Sequence, residues 1–175
     1  MILIINLGLK SIRATIFRNN GKKISFSSKV ISTTLINEKV EQDPKEWINS
    51  LLNVLEKAIN EVNAFDKIKY ISVSCSASCL VAVDENFEPL LPVIMVSDKR
   101  ANEEAKFISK LKSYKKLEVS GNFNISSYST ISRILWLKNR QPEIYKQVWK
   151  FLSPNDFIIL YITGNICVTD PLNAE

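Results

Sequence analysis

A chain of 175 residues, 46% hydrophobic and 9% aromatic, is long enough to bury one core, so one compact domain is expected. The net charge of +5 is scattered, and its one tight cluster, Lys106, Lys110, Lys112, Lys115 and Lys116, is interrupted by Phe107, Ile108, Leu111 and Leu117 as on a solvated helix face, which argues against nucleic acid. The longest apolar runs, such as Phe157 to Ile162, fall short of the roughly 20 residues that cross a bilayer, and Met1 leads into Ile2 with neither basic flank nor cleavage site, so a cytoplasmic protein without a membrane partner is expected.

In chain order, Leu3 to Ile5 reads as a buried strand, and Ile12, Ala14 and Ile16 alternate with Arg13 and Thr15 as a second. Asn19, Asn20 and Gly21 supply hairpin chemistry, because both residue types tolerate positive φ, and Ile24, Phe26, Ser28 and Val30 return as a third strand. Asp43-Pro44-Lys45-Glu46 marks a helix start, with Asp43 as cap, proline at the first helical position and Glu46 closing a capping box. Trp47, Ile48, Leu51, Leu55, Ala58, Ile59 and Val62 then recur at helical spacing as one buried stripe. Ile68 to Val73 alternates as a strand, and Ser78 to Val83 is expected to pair with Val93 to Val96 through the Asp84-Glu85-Asn86 turn. From Asp98 the pattern is helical, through Ala101, Ala105, Ile108 and Leu111, and again through Ile131, Ile134, Leu135 and Leu137 up to Pro142. A last strand at Val148 to Leu152 precedes Ser153-Pro154-Asn155-Asp156, the cap of a helix over Phe157 to Ile162 that Gly164 stops.

Cys75, Cys79 and Cys167 are an odd set without a framework spacing and read as buried small hydrophobes. With no histidine in the chain, a tetrahedral thiolate metal site has nothing to complete it, and the commonest general base and the Ser-His triad are excluded. Acid–base work would fall to carboxylates. Only 4 glycines occur, in neither a P-loop nor a dinucleotide fingerprint.

Three antiparallel strands, a helix, a strand and then mixed elements follow the order of the ribonuclease H-like core shared by actin, hexokinase and the sugar kinases. Local matches make the resemblance specific. Met1-Ile2-Leu3-Ile4-Ile5-Asn6-Leu7-Gly8 resembles a first phosphate-binding loop usually written Asp-x-Gly-Thr, and Val40-Glu41-Gln42-Asp43-Pro44-Lys45-Glu46-Trp47 is close to the Glu-Gln-Asp-Pro stretch of xylulokinases and glycerol kinases. Val81-Ala82-Val83-Asp84, Pro89-Leu90 and Val96-Ser97-Asp98-Lys99-Arg100 look like that family's strand, turn and Trp-x-Asp-x-Arg segment. Leu135-Trp136-Leu137-Lys138, Pro142-Glu143-Ile144-Tyr145, Pro154-Asn155-Asp156-Phe157, Thr163-Gly164 and Thr169-Asp170 complete the series in the right order. The chain thus resembles the N-terminal part of an FGGY family carbohydrate kinase. The resemblance implies an α/β, ribonuclease H-like N-terminal lobe over residues 1–175, with a mixed sheet flanked by helices, incomplete relative to the family and without the C-terminal lobe.

For function, the resemblance implies xylulokinase-like phosphorylation of a sugar or polyol hydroxyl, with ATP and Mg²⁺ as the family's cofactors. The family's carboxylate base follows the segment that Thr169-Asp170-Pro171-Leu172-Asn173-Ala174 resembles, so no catalytic residue is assigned and the isolated chain is expected to be inactive. A sugar-binding or assembly module derived from a kinase, or one half of a split kinase, are the alternatives. On the phosphate side the family's aspartate is Asn6, which brings no negative charge to a metal shell, so no metal ligand is assigned and Mg²⁺ binding is expected to be weakened or lost. Leu9 replaces the hydroxyl residue after Gly8, Lys10 pairs with phosphate or faces water, and Ser11 and Arg13 resemble the end of the glycerol kinase loop, or else belong to a structural hairpin. On the sugar side, Ala77-Ser78 stands where glycerol kinases place Arg-Glu and xylulokinases Met-His. Ser78 either bonds a sugar hydroxyl or is a tolerated strand serine; Asp98 either bonds substrate or caps a helix; Tyr128 either faces a polyol or packs in the core. Arg100 is expected to pair with Asp98 or a neighbouring carboxylate. An unfilled half-lobe exposes apolar surface, so a homodimer or a missing C-terminal half is the expected macromolecular partner beside the sugar.

Overall fold

Strict alternation sets the first strand: in β1 (Ile2–Leu7) the side chains of Leu3, Ile5 and Leu7 are buried and those between them are half-buried, as the two-residue period of a strand requires. The computed structural model describes residues 1–76, 78–115, 124–164 and 166–169. Antiparallel pairing joins β1 to β2 (Ser11–Phe17), with Leu7 opposite Ile12, and β2 to β3 (Lys23–Val30), with an irregularity between Ile16 and Phe17. The expected turn joins β2 to β3, Gly21 taking φ 81° while its amide donates to the Arg18 carbonyl at 2.9 Å. A second hairpin follows, β4 (Thr34–Ile36) and β5 (Lys39–Gln42), turning at Asn37 with φ 54°. It was not anticipated from sequence, because its turn carries no glycine.

Helix α1 (Pro44–Glu61) starts where expected, with the Asp43 carboxylate accepting from the Lys45 amide at 2.8 Å and proline in the first turn. The capping box does not close. Glu46 instead accepts from the Ser32 amide at 3.1 Å and hydroxyl at 3.2 Å, so its carboxylate ties down the strand exit rather than the helix start. Trp47, Leu51, Val54 and Ala58 form the buried stripe, which packs across β2 and β3. β6 (Tyr70–Cys75) then runs parallel to β1, giving the sheet order β3-β2-β1-β6.

Composition suggested one compact domain, but the chain divides into two units, because it leaves the first sheet twice and returns. Met1–Thr33, Gln42–Ala77 and Leu152–Glu175 form the first, and Thr34–Glu41 with Ser78–Phe151 form the second. In the second unit, β7 (Val81–Val83) and β8 (Val93–Ile94) do not build the expected ladder; Leu80, just ahead of β7, makes an isolated bridge to Ile94. The Asp84 turn pairs Val83 with Pro89 at once, and Pro89 and Pro92 have no amide hydrogen to continue the ladder. β8 pairs with β5 instead, in the order β4-β5-β8.

Helix α2 (Asn102–Ser109) begins four residues later than the expected start at Asp98, which lies in a turn closed by its own amide on the Met95 carbonyl at 3.0 Å. Helices α3 (Thr130–Arg140) and α4 (Pro142–Tyr145) follow, and β9 (Lys150–Leu152) pairs with β7. Ala82, Ala101, Trp136 and Leu137 form a core here, with Ile144 and Phe151 packed against it. The chain then re-enters the first unit as α5 (Pro154–Thr163), capped by Ser153 and Asp156 in a complete capping box and stopped by Gly164 at φ 80°. α5 lies against β6 and sets Phe157 beside Trp47, ring centroids 6.5 Å apart. Among the described residues no helix is long and apolar enough to cross a membrane. Ala77, Lys116, Leu117 and the Asp170–Ala174 part of the last family match lie outside the described residues.

Candidate functional site

The candidate phosphate residues gather at one end of the first sheet. Asn6 stands opposite Arg13 on β2 and beside Ser74 on β6, so the three side chains share one face in a row across three strands. The Asn6 carboxamide donates to the Ser74 carbonyl at 3.4 Å and hydroxyl at 3.5 Å. Gly8 closes the turn with its amide on the Ser11 carbonyl at 2.9 Å. It is not in the left-handed region, and a Cβ there would meet the Ser11 carbonyl at an ordinary 3.5 Å. Its lack of a side chain is therefore not demanded by the backbone. Lys10 and Arg13 are exposed, whereas Ser11 is buried at the start of β2.

The turn is held from beneath by a residue to which sequence reasoning gave no role. Gln42, almost wholly buried, donates to the Leu9 carbonyl and the Thr33 hydroxyl, both at 2.8 Å, and accepts from the Trp47 indole at 2.7 Å. The Glu-Gln-Asp-Pro pattern signalled a resemblance, but only the fold reveals that its glutamine ties the β1–β2 turn to α1.

The residues assigned to the sugar side lie in the second unit, and two of them form an ionic knot. Asp98, 0% exposed, accepts from the Arg100 Nε at 2.8 Å, Nη2 at 2.7 Å and amide at 3.0 Å, and from the Val40 amide at 2.6 Å. Arg100 also reaches Glu41 at 2.6 Å and lies over the Trp136 ring, 5.0 Å from its centroid. Burial works against the Arg100 charge, but the bonds to Asp98 and Glu41 outweigh it and hold its pKa above the ordinary value. The expected Arg100–Asp98 pair is thus present. Asp98 caps no helix; both its oxygens are spent joining β5 to the approach of α2.

Ser78 is not a strand residue. It is exposed ahead of β7 at φ 60°. Tyr128 is 54% exposed in the turn before α3, where the Ser126 amide donates to the Ser129 hydroxyl at 3.0 Å, so core packing is not its role. Of the cysteines read as buried, Cys79 is buried, Cys75 half-buried and Cys167 exposed. Arg133, to which the sequence assigns no role, is 0% exposed and donates to the carbonyls of Ser78, Met95 and Val96. Burial pulls its pKa down from the ordinary value.

Among the described residues there is no group of three or more His, Cys, Asp or Glu side chains placed to hold a metal. With Asn6 neutral and turned to Ser74, this end of the first sheet does not fit a Mg²⁺ shell built from this chain's own carboxylates.

Comparison with known proteins places this geometry. The model for the N-terminal domain of the FGGY family of carbohydrate kinases matches residues 1–174. A xylulose kinase of Lactococcus lactis subsp. lactis is 30% identical over 167 residues, covering 94% of this chain and 33% of that protein. One of Staphylococcus xylosus is 32% identical over 135 residues, covering 77% and 27%. The chain thus spans about a third of the length of the curated relatives it matches. Among solved structures, Plasmodium falciparum glycerol kinase with ADP superposes with a TM-score of 0.88 at 22% identity, over 99% of this chain and 37% of that one. Xylulose kinase from Rhodospirillum rubrum gives 0.87 at 19%, over 96% and 35%. These likenesses fix the fold as the ribonuclease H-like sugar kinase lobe.

Proposed function

The chain belongs to the FGGY family of carbohydrate kinases, as its N-terminal domain, and on that premise we propose that it is the N-terminal part of an ATP-dependent, xylulokinase-like sugar kinase. The observation that carries the proposal is the family match over residues 1–174 together with xylulose kinases as relatives at 30% and 32% identity. Phosphoryl transfer is largely a matter of positioning and electrostatic stabilisation. In this reading the β1–β2 turn presents the Gly8 and Lys10 segment and the exposed Arg13 to the phosphates, with Asn6 fixing the strand beside it and the buried Ser11 shaping the turn. Ser78 and Tyr128 offer hydroxyls to the sugar, and Asp98 with Arg100 frames them from within. The cytoplasm, where ATP and free sugars meet, is the proposed location.

Because the chain spans a third of its relatives' length, we expect the 175-residue chain by itself to bind a sugar without phosphorylating it. The test is calorimetric titration with D-xylulose, glycerol and D-gluconate, followed by a coupled assay with ATP and Mg²⁺. Saturable binding without turnover supports the reading; phosphorylation by the purified chain overturns the claim that it is only part of a kinase, and no binding removes the sugar role of this part. A second reading, assembly with another chain, is favoured by β6, which the described residues pair on one side only and which leaves Tyr70 and Ile71 exposed. That chain would be a second copy or a separately encoded kinase half.

A further inference from the structure

Arg133 sits on the first turn of α3 with no exposed surface, and among the described residues no carboxylate is paired with it. A charge so placed is tolerated only when its donors are used. Here the two terminal nitrogens go to main-chain carbonyls, Nη1 to Ser78, and Nη2 to Met95 at 2.8 Å and Val96 at 3.2 Å, while the buried Nε has no hydrogen-bond partner among the described residues. Ser78 holds φ 60°, a region that residues with a Cβ seldom occupy and keep only when their surroundings over-determine them. Met95 also accepts the Asp98 amide in the turn that leads to the Asp98–Arg100 pair. Tyr128 lies in the turn from which α3 starts, where the Ser129 carbonyl accepts the Arg133 amide at 3.3 Å.

We infer that Arg133 is the positioning residue of the sugar-side surface, its forked guanidinium clamping the exposed Ser78 backbone and the Met95–Val96 segment to the Tyr128 end of α3. The inference rests on the proposed reading of Ser78 and Tyr128 as sugar contacts. The fork is essential, because a planar group with donors in fixed directions reaches two segments at once, whereas a lysine ammonium keeps the charge and loses that reach. Arg133 does not touch the sugar itself. It acts through the backbone that carries Ser78.

The test compares Arg133→Lys and Arg133→Met with the parent in the full 175-residue chain. Amide hydrogen exchange is read at Leu80 and Ile94, whose amides bond across the clamped segments, at Asp98, whose amide closes the turn on Met95, and at α3 and β1 as references. The clamp predicts that Arg133→Lys exchanges about tenfold faster at those three amides with α3 and β1 unchanged, and binds D-xylulose about tenfold more weakly than the parent. Exchange equal to the parent overturns the inference. So does exchange accelerated equally along α3, which would mark Arg133 as a core residue and no more. If Arg133→Met fails to fold, the lysine variant alone decides. If the parent binds no D-xylulose, the sugar-contact reading falls, while the exchange comparison still decides whether Arg133 is the clamp.

Discussion

At the level of single residues, polar side chains without surface carry much of the local order. Asp98 supports four hydrogen bonds on two oxygens and neutralises Arg100. Asp98→Ala should leave a buried guanidinium half-compensated and lower stability by about 3–5 kcal/mol, read from urea unfolding. The same variant would therefore abolish ligand binding by unfolding its surroundings, so a lost titration signal with Asp98→Ala is no sign of contact with a sugar. Cys79 provides a pH handle. Burial pushes its thiol above the ordinary 9.0, against the pull of the Val96 backbone and Arg133. A group that keeps its proton longer when folded contributes stability that is intact below the unfolded value and falls as pH rises past it. The parent should lose more stability than Cys79→Ala between pH 7 and pH 10, measured as the difference in urea midpoints; equal losses would dismiss the thiol as the cause.

Among the elements, legibility followed how local the signal was. Asp43-Pro44 and Ser153-Pro154 announced α1 and α5 because a cap and a first-turn proline act within four residues of each other, and Gly164 stopped α5 by a backbone angle that glycine adopts freely. Ser153→Ala should accordingly cost about 1 kcal/mol, visible as a lowered thermal midpoint. Glu46→Ala should leave the start of α1 intact, since Glu46 serves Ser32 and not the helix. What escaped the sequence was non-local. The hairpin of β4 and β5 turns at Asn37 with no glycine to flag it, β7 takes β9 as neighbour from across the second unit, and α2 starts late because Asp98 is drawn to Val40 and Arg100. The site divides in the same way. The candidate phosphate residues were legible as one turn between two strands, whereas the supporting roles of Gln42 and Arg133 depend on carbonyls 33 and 55 residues away.

For the molecule as a whole, the parallel strand β6 closes one end of the first sheet, and parallel strands are ordinarily covered on both faces. Tyr70 and Ile71 on that strand should therefore seek cover. Analytical ultracentrifugation is expected to find the parent chain self-associated at micromolar concentration, and Ile71→Lys monomeric with unchanged circular dichroism; a monomeric parent would leave the assembly reading without support. The interleaving of the two units has a different kind of consequence. The β1–β2 turn belongs to segments that build the first sheet, and Ser78, Asp98, Arg100 and Tyr128 belong to a long excursion that leaves after β6 and returns before α5. Lengthening such an excursion costs only about 0.6 kcal/mol per doubling in closure entropy. Substitutions and insertions in the excursion can thus be accommodated while the first sheet keeps its own packing. A chain laid out in this way can alter the excursion without rebuilding the sheet that it leaves.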